Sequence, residues 1–170
     1  MSSSSLLYSQ SKGKENAYCM SYLISDNQLS ILNFNRLVKD LNGLSTSIFL
    51  EKLQSNFTLT LKSESFKPIL EDEIGMYLNG KWYSLIYNPT KKKNLNVVDK
   101  LDPSILTDNI LSPILGIYDL KTDKRISFID GTNLGEAVKQ VDNKDFEILF
   151  VLKSISIDTV KEVADKKLCM

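Results

Sequence analysis

A chain of 170 residues, 42% hydrophobic and 25% charged, has the composition of an ordinary soluble domain and can bury roughly 70% of its unfolded surface in one core. Its 21 basic and 21 acidic side chains cancel, which leaves no bulk positive field for nucleic acid or an anionic membrane. The absence of histidine removes the commonest general base and metal ligand, and two distant cysteines argue against a zinc site or a disulfide framework.

Residues 1–16, with serines at positions 2 to 5, read as a flexible lead-in; Leu6, Leu7 and Tyr8 are too few for a signal peptide. No run reaches the ~20 apolar residues of a membrane span, and a cytoplasmic location is expected. Residues 17–90 are expected to form an N-terminal α+β subdomain. Within it, residues 17–24 (Ala-Tyr-Cys-Met-Ser-Tyr-Leu-Ile) suit a buried strand, Asp26-Asn27 a turn, and residues 29–34 a second strand pairing with the first. Residues 45–56 are predicted helical, capped by Ser45, with Ile48, Phe49 and Leu53 on one face. Residues 57–61 alternate as a half-buried strand, and Glu71-Asp72-Glu73 reads as a solvated acidic loop. Asn79-Gly80 between two apolar, aromatic runs predicts a hairpin over 75–87, since both central positions of a type I′ turn need positive φ.

Residues 91–170 are expected to form a C-terminal α/β subdomain sharing one core with the first. Lys91-Lys92-Lys93 reads as a solvated loop at the boundary. Asp102-Pro103 predicts a helix start, with Asp102 as cap, running until Pro113. Strands are predicted over 125–129 and 146–152, and helices over 134–141 and 156–166, the last with Ile157, Val160, Val163 and Ala164 inward. The whole predicts an α+β (mixed α/β) fold, antiparallel hairpins followed by a helix-strand-helix-strand-helix segment.

Residues 111–117 (Leu-Ser-Pro-Ile-Leu-Gly-Ile), 122–126 (Thr-Asp-Lys-Arg-Ile) and 128–131 (Phe-Ile-Asp-Gly) closely resemble, in order, a bacterial family of unassigned function, the domain-of-unknown-function family 1015. Upstream, residues 35–39 (Asn-Arg-Leu-Val-Lys) and the hairpin fit the same family, so the likeness runs from about Ala17 to Met170. Full-length members carry an Ala-Asp-Gly-His-His-Arg motif similar to ParB-like and free-serine-kinase proteins, and continue past the position of Met170 into Met-Pro-Pro-Lys-Ser-Thr. The resemblance thus implies a C-terminal portion, with a nucleotide cofactor bound only together with a missing N-terminal half. Asn35 stands where members tend to carry histidine.

Binding candidates are Arg36, Lys39, Asp123, Arg125, Asp130 and Gly131. Arg36 and Lys39 after a strand end suit an anionic group, although solvated residues at a turn are the plainer account. Asp123 and Arg125 suit an ion pair shaping a ligand loop, or simply a β-turn. Asp130-Gly131 suits a close backbone approach to a phosphate, or a strand-ending turn. No catalytic residue and no metal site is expected. Tyr77, Trp82 and Tyr83 suit cross-strand aromatic pairing, and Cys169 finds no partner for nucleophilic work. The leading expectation is a scaffold or substrate-side half without catalysis of its own. Its rivals are a subunit of a split nucleotide-dependent kinase-like enzyme, with a complementary N-terminal half in a separate chain, and a protein-interaction module that self-associates.

Overall fold

The computed structural model describes residues 21–25, 28, 31–92 and 95–168. The chain separates into two compact units, Met1–Ser30 and Ile31–Met170. In the first, residues 21–25 take no strand, and Tyr22 and Leu23 are exposed. The strand expected over 17–24 is thus not formed at 21–24, while residues 17–20 and the turn at Asp26-Asn27 lie outside the described residues. An apolar run becomes a strand only where a neighbour satisfies its backbone groups, and residues 21–24 have no such neighbour among the described residues.

The second unit is built on one antiparallel sheet. Its strands are β1 (Phe34–Val38), β2 (Phe57–Lys62), β3 (Glu73–Leu78), β4 (Lys81–Tyr87), β5 (Ile126–Asp130) and β6 (Ile148–Val151), in the spatial order β2-β4-β3-β6-β1-β5. The helices are α1 (Thr46–Gln54), the single turn α2 (Pro89–Lys92), α3 (Asp102–Leu106), α4 (Leu134–Asp142) and α5 (Ile157–Asp165), with a π-helical turn, Thr107–Leu111, extending α3. The α+β class read from the sequence is the class observed.

Local chemistry explains most of these elements. Asn79 (φ 50°) and Gly80 (φ 73°) turn β3 into β4, with Leu78 opposite Lys81, as the Asn-Gly signal requires. The Ser45 hydroxyl caps α1 by accepting from the Ile48 N–H at 3.4 Å. β6 is buried along its whole length, so it reads as a continuous apolar run, and it lies between β3 and β1. It therefore joins N- and C-terminal sequence in one sheet.

The sheet is covered on both faces. On one, Phe49 and Leu53 of α1 and Ile105, Leu106, Ile110 and Leu111 pack with Val38, Met76, Leu85 and Phe150. On the other, Leu134, Ala137 and Val141 of α4 cover Leu37, Tyr77, Trp82 and Leu149. Each fully buried side chain of this size contributes about 1.5–3 kcal/mol. Tyr77 and Trp82 face one another across the hairpin, centroids 5.0 Å apart.

Several expectations need correction. Of the strand expected over 29–34, residues 31–33 take no strand and Phe34 opens β1, which pairs with β5 and β6; residues 29 and 30 lie outside the described residues. Asn35 and Arg36 hide its alternation, because tertiary partners accommodate two polar residues. Arg36 is thus a mid-strand residue, not the start of a turn. Glu73 is no loop residue: it opens β3, 4% exposed, and accepts from the Ser84 hydroxyl at 2.6 Å. Lys91 is exposed, as a solvated run requires, but Lys92 is half-buried. Lys91 donates to the Ser55 carbonyl at 3.0 Å and Lys92 pairs with Asp72, while Lys93 lies outside the described residues. Ile48 is exposed, and of the inner face expected on α5 only Val163 is buried.

Candidate functional site

A cleft of about 350 Å³ opens where the turn before β3, the start of α3, the segment after β6 and α5 come together. Val97, Leu101, Pro103 and Ile155 supply apolar wall. The charged lining is balanced, with Lys92, Lys100, Lys153 and Lys166 against Glu71, Asp72, Asp102 and Glu162. Two of these cations already hold carboxylates, Lys92 on Asp72 and Lys166 on Glu162 at 2.7 Å. Lys100 and Lys153 make no ion pair among the described residues.

Asp102 is the most perturbed carboxyl of this cleft. Leu101 is the N-cap and makes no side-chain cap, so Asp102 is the first helical residue rather than the cap expected from Asp-Pro. Its carboxyl is pushed up to about 6, first by burial and then by the Asp72 charge. Lys92, the Asp72 backbone N–H and Lys153 oppose that rise. Sequence reasoning missed this residue, because an Asp before a Pro reads as a helix start and nothing local announces Asp72 or Lys153.

The six sequence candidates fall along β1 and β5, none of them lining the cleft. Arg36 lies opposite Phe128, its guanidinium carbon 4.4 Å from the ring centroid. It donates to the Phe34 carbonyl, and burial lowers it to about 10. Lys39 follows β1, its N–H on the Arg125 carbonyl at 2.9 Å, and its side chain is exposed.

Arg125 grips Asp123 with Nε at 3.3 Å and a terminal nitrogen at 3.0 Å. The same guanidinium donates to the carbonyls of Leu115 and Gly116, each at 3.0 Å, and reaches Asp40 at 3.5 Å. The Arg125 hydrogen bonds hold the Asp123 carboxyl below the usual range. Both alternatives at this position are thus realised together: an ion pair within a turn. Its five acceptors are protein groups, so it clamps the 115–116 loop rather than presenting a free fork.

Asp130 is engaged locally as well. Its carboxylate accepts from the N–H and hydroxyl of Thr132, both at 2.7 Å, and these bonds depress it. Gly131 is required by a close approach. A Cβ there would lie 2.0 Å from the Asn33 side-chain oxygen. Asn33 in turn donates to Asn35 at 3.1 Å and to the Leu152 carbonyl, and accepts from Ser154, a cleft residue, at 3.3 Å. The Asn35 side-chain oxygen takes the Leu152 N–H at 3.2 Å, while its buried amide nitrogen has no partner among the described residues.

Among the described residues no group of three or more Asp, Glu, Cys or His is arranged to hold a metal ion, and no helix is long and apolar enough to cross a membrane. No curated protein and no solved structure matches the chain. A family model does match, "Protein of unknown function (DUF1015)", over residues 3–104. That span takes in the 35–39 motif, the hairpin, and the Asp72, Lys92, Lys100 and Asp102 side of the cleft. With more than half of its residues matched, the chain belongs to this family of proteins of unknown function.

Proposed function

We propose that the chain is a substrate-side portion of a larger activity: it binds a small polar molecule in the cleft and carries no catalysis of its own. One observation carries this reading. The cleft combines two lysines without carboxylate partners among the described residues, a half-buried carboxyl and apolar walls, the mixture typical of small-molecule sites of about 300–1,000 Å³. A sequence without histidine, and the engagement of Asp123, Arg125 and Asp130 with other protein groups, support the non-catalytic part. Two widely spaced cysteines support a reducing, cytoplasmic setting. The test is a ligand panel read by thermal shift, alongside an assay for ADP release from ATP. Stabilisation by a small polar ligand without ADP is expected; ADP release that disappears in an Arg36→Ala variant overturns the reading.

Self-association is a second reading, favoured by the β5 margin of the sheet. Phe34 and Phe128, 52% and 43% exposed, flank Arg36 on one face of the edge formed by β1 and β5. β5 has only β1 as a strand neighbour among the described residues, and an edge strand of this kind can pair with a second copy. Sedimentation velocity decides it. A dimer lost in Phe128→Glu supports this reading, and a monomer at every concentration refutes it.

A further inference from the structure

We propose that the cleft is an oxyanion site, in which Lys100 and Lys153 receive the anionic head group of a small organic ligand. This rests on reading the cleft as the binding site, and it names what binds there. The argument is one of unmatched charge. An ammonium drawn partly out of water loses hydration, and a partner anion offsets the loss. Lys92 and Lys166 have such partners in Asp72 and Glu162. Lys100 and Lys153, half-buried like Lys92 and lining the same cleft, have none within ion-pair distance among the described residues. Lysine acts as a compact point charge and suits phosphate, sulfate or carboxylate oxygens. The cleft volume of about 350 Å³ exceeds what a bare ion needs, and Val97, Leu101 and Pro103 give the remainder of the molecule an apolar wall.

The site has a proton linkage. Asp72, Lys92 and Lys153 act on Asp102, and the other charged groups lining its cleft are Glu71 from the turn before β3, Lys100 from the preceding turn, Glu162 of α5 and Lys166 at its end. Lys153 is the unmatched cation that acts on Asp102 electrostatically. An anion seated on Lys153 adds negative charge beside the Asp102 carboxyl, so its binding favours the protonated acid. Anion affinity therefore rises as pH falls through about 6.

Isothermal titration of the full chain with sulfate, inorganic phosphate and succinate tests this. Sulfate keeps its charge across the range, so it isolates the protein's titration, while phosphate and succinate distinguish the head groups. At least one anion is expected to bind, with a sulfate affinity about three- to tenfold higher at pH 5.5 than at pH 7.5. Asp102→Asn should abolish that pH dependence while retaining binding. Lys153→Ala, and separately Lys100→Ala, should each weaken binding about tenfold or more with unchanged circular dichroism. Binding that is indifferent to both lysine variants overturns the proposal. If no anion binds yet a neutral or cationic molecule from the panel occupies the cleft, the oxyanion assignment fails and the binding reading stands. If nothing binds in the cleft, both fail.

Discussion

The Asp72 carboxylate pairs with Lys92, and its charge acts on the Asp102 carboxyl, linking the turn before β3 to the first residue of α3. Asp72 sits at φ 66°, its carbonyl accepts from the Tyr87 N–H at 3.0 Å, and its side chain holds Lys92. The cleft wall is therefore anchored to the sheet through one residue in a left-handed conformation. Asp102 itself is held where burial opposes its charge.

Replacing that charge should stabilise the fold at neutral pH. The Asp102 carboxyl rises from an ordinary 3.8 to about 6, so ionisation disfavours the folded state. The penalty is absent below about pH 4, grows between 4 and 6, and is complete above 6. Asp102→Asn keeps the size and shape of the side chain and removes the charge. Urea unfolding should show a gain on the order of 1–2 kcal/mol at pH 7.5 and none at pH 3.5. A loss of stability at pH 7.5 would show instead that the carboxylate is a net asset to the fold.

Gly131→Ala probes the network behind the cleft. The added methyl meets Asn33, whose amide also serves Asn35, Leu152 and Ser154, so it has no free direction of retreat. A destabilisation of about 1–3 kcal/mol is expected, from displaced hydrogen bonds around the buried Asn35. The double variant Gly131→Ala/Asn33→Ala should recover part of it. Equal loss in the single and double variants would show that Asn33 is not the obstacle.

Tyr77 gives a signature at alkaline pH. Its hydroxyl donates to Asp142 at 2.6 Å, and that bond, then burial, pushes the phenol up to about 12. The bond's contribution is complete below about pH 10 and is lost as pH rises towards 12. Tyr77→Phe should therefore be less stable than the parent by about 1 kcal/mol at pH 8, with the gap narrowing above pH 10. A gap independent of pH would separate the hydroxyl from this titration.

What was legible in the sequence was what local chemistry determines. Asn79-Gly80 needs positive φ at both positions, and Ser45 caps the helix that follows it. What was not legible depends on distant partners. Asn35 and Arg36 interrupt the pattern of β1, and their places are set by Leu152 on one side and Phe128 on the other. Glu73 looked solvated beside Glu71 and Asp72 until Ser84 met it across the hairpin. The cleft was hidden for the same reason. Asp72, Asp102 and Lys153 lie in three separate stretches of sequence, and only the folded sheet and α3 bring them together.

The central claim, a binding cleft without chemistry of its own, is tested most directly by amide NMR of the isotope-labelled chain. Mixtures of small polar molecules would be added with ATP present, and the same tube followed for product. The account predicts shifts concentrated at residues 100–103 and 153–159, with ATP and every added compound unchanged. Shifts confined to the Arg36–Phe128 margin of the sheet, or conversion of any compound by the chain alone, would contradict it.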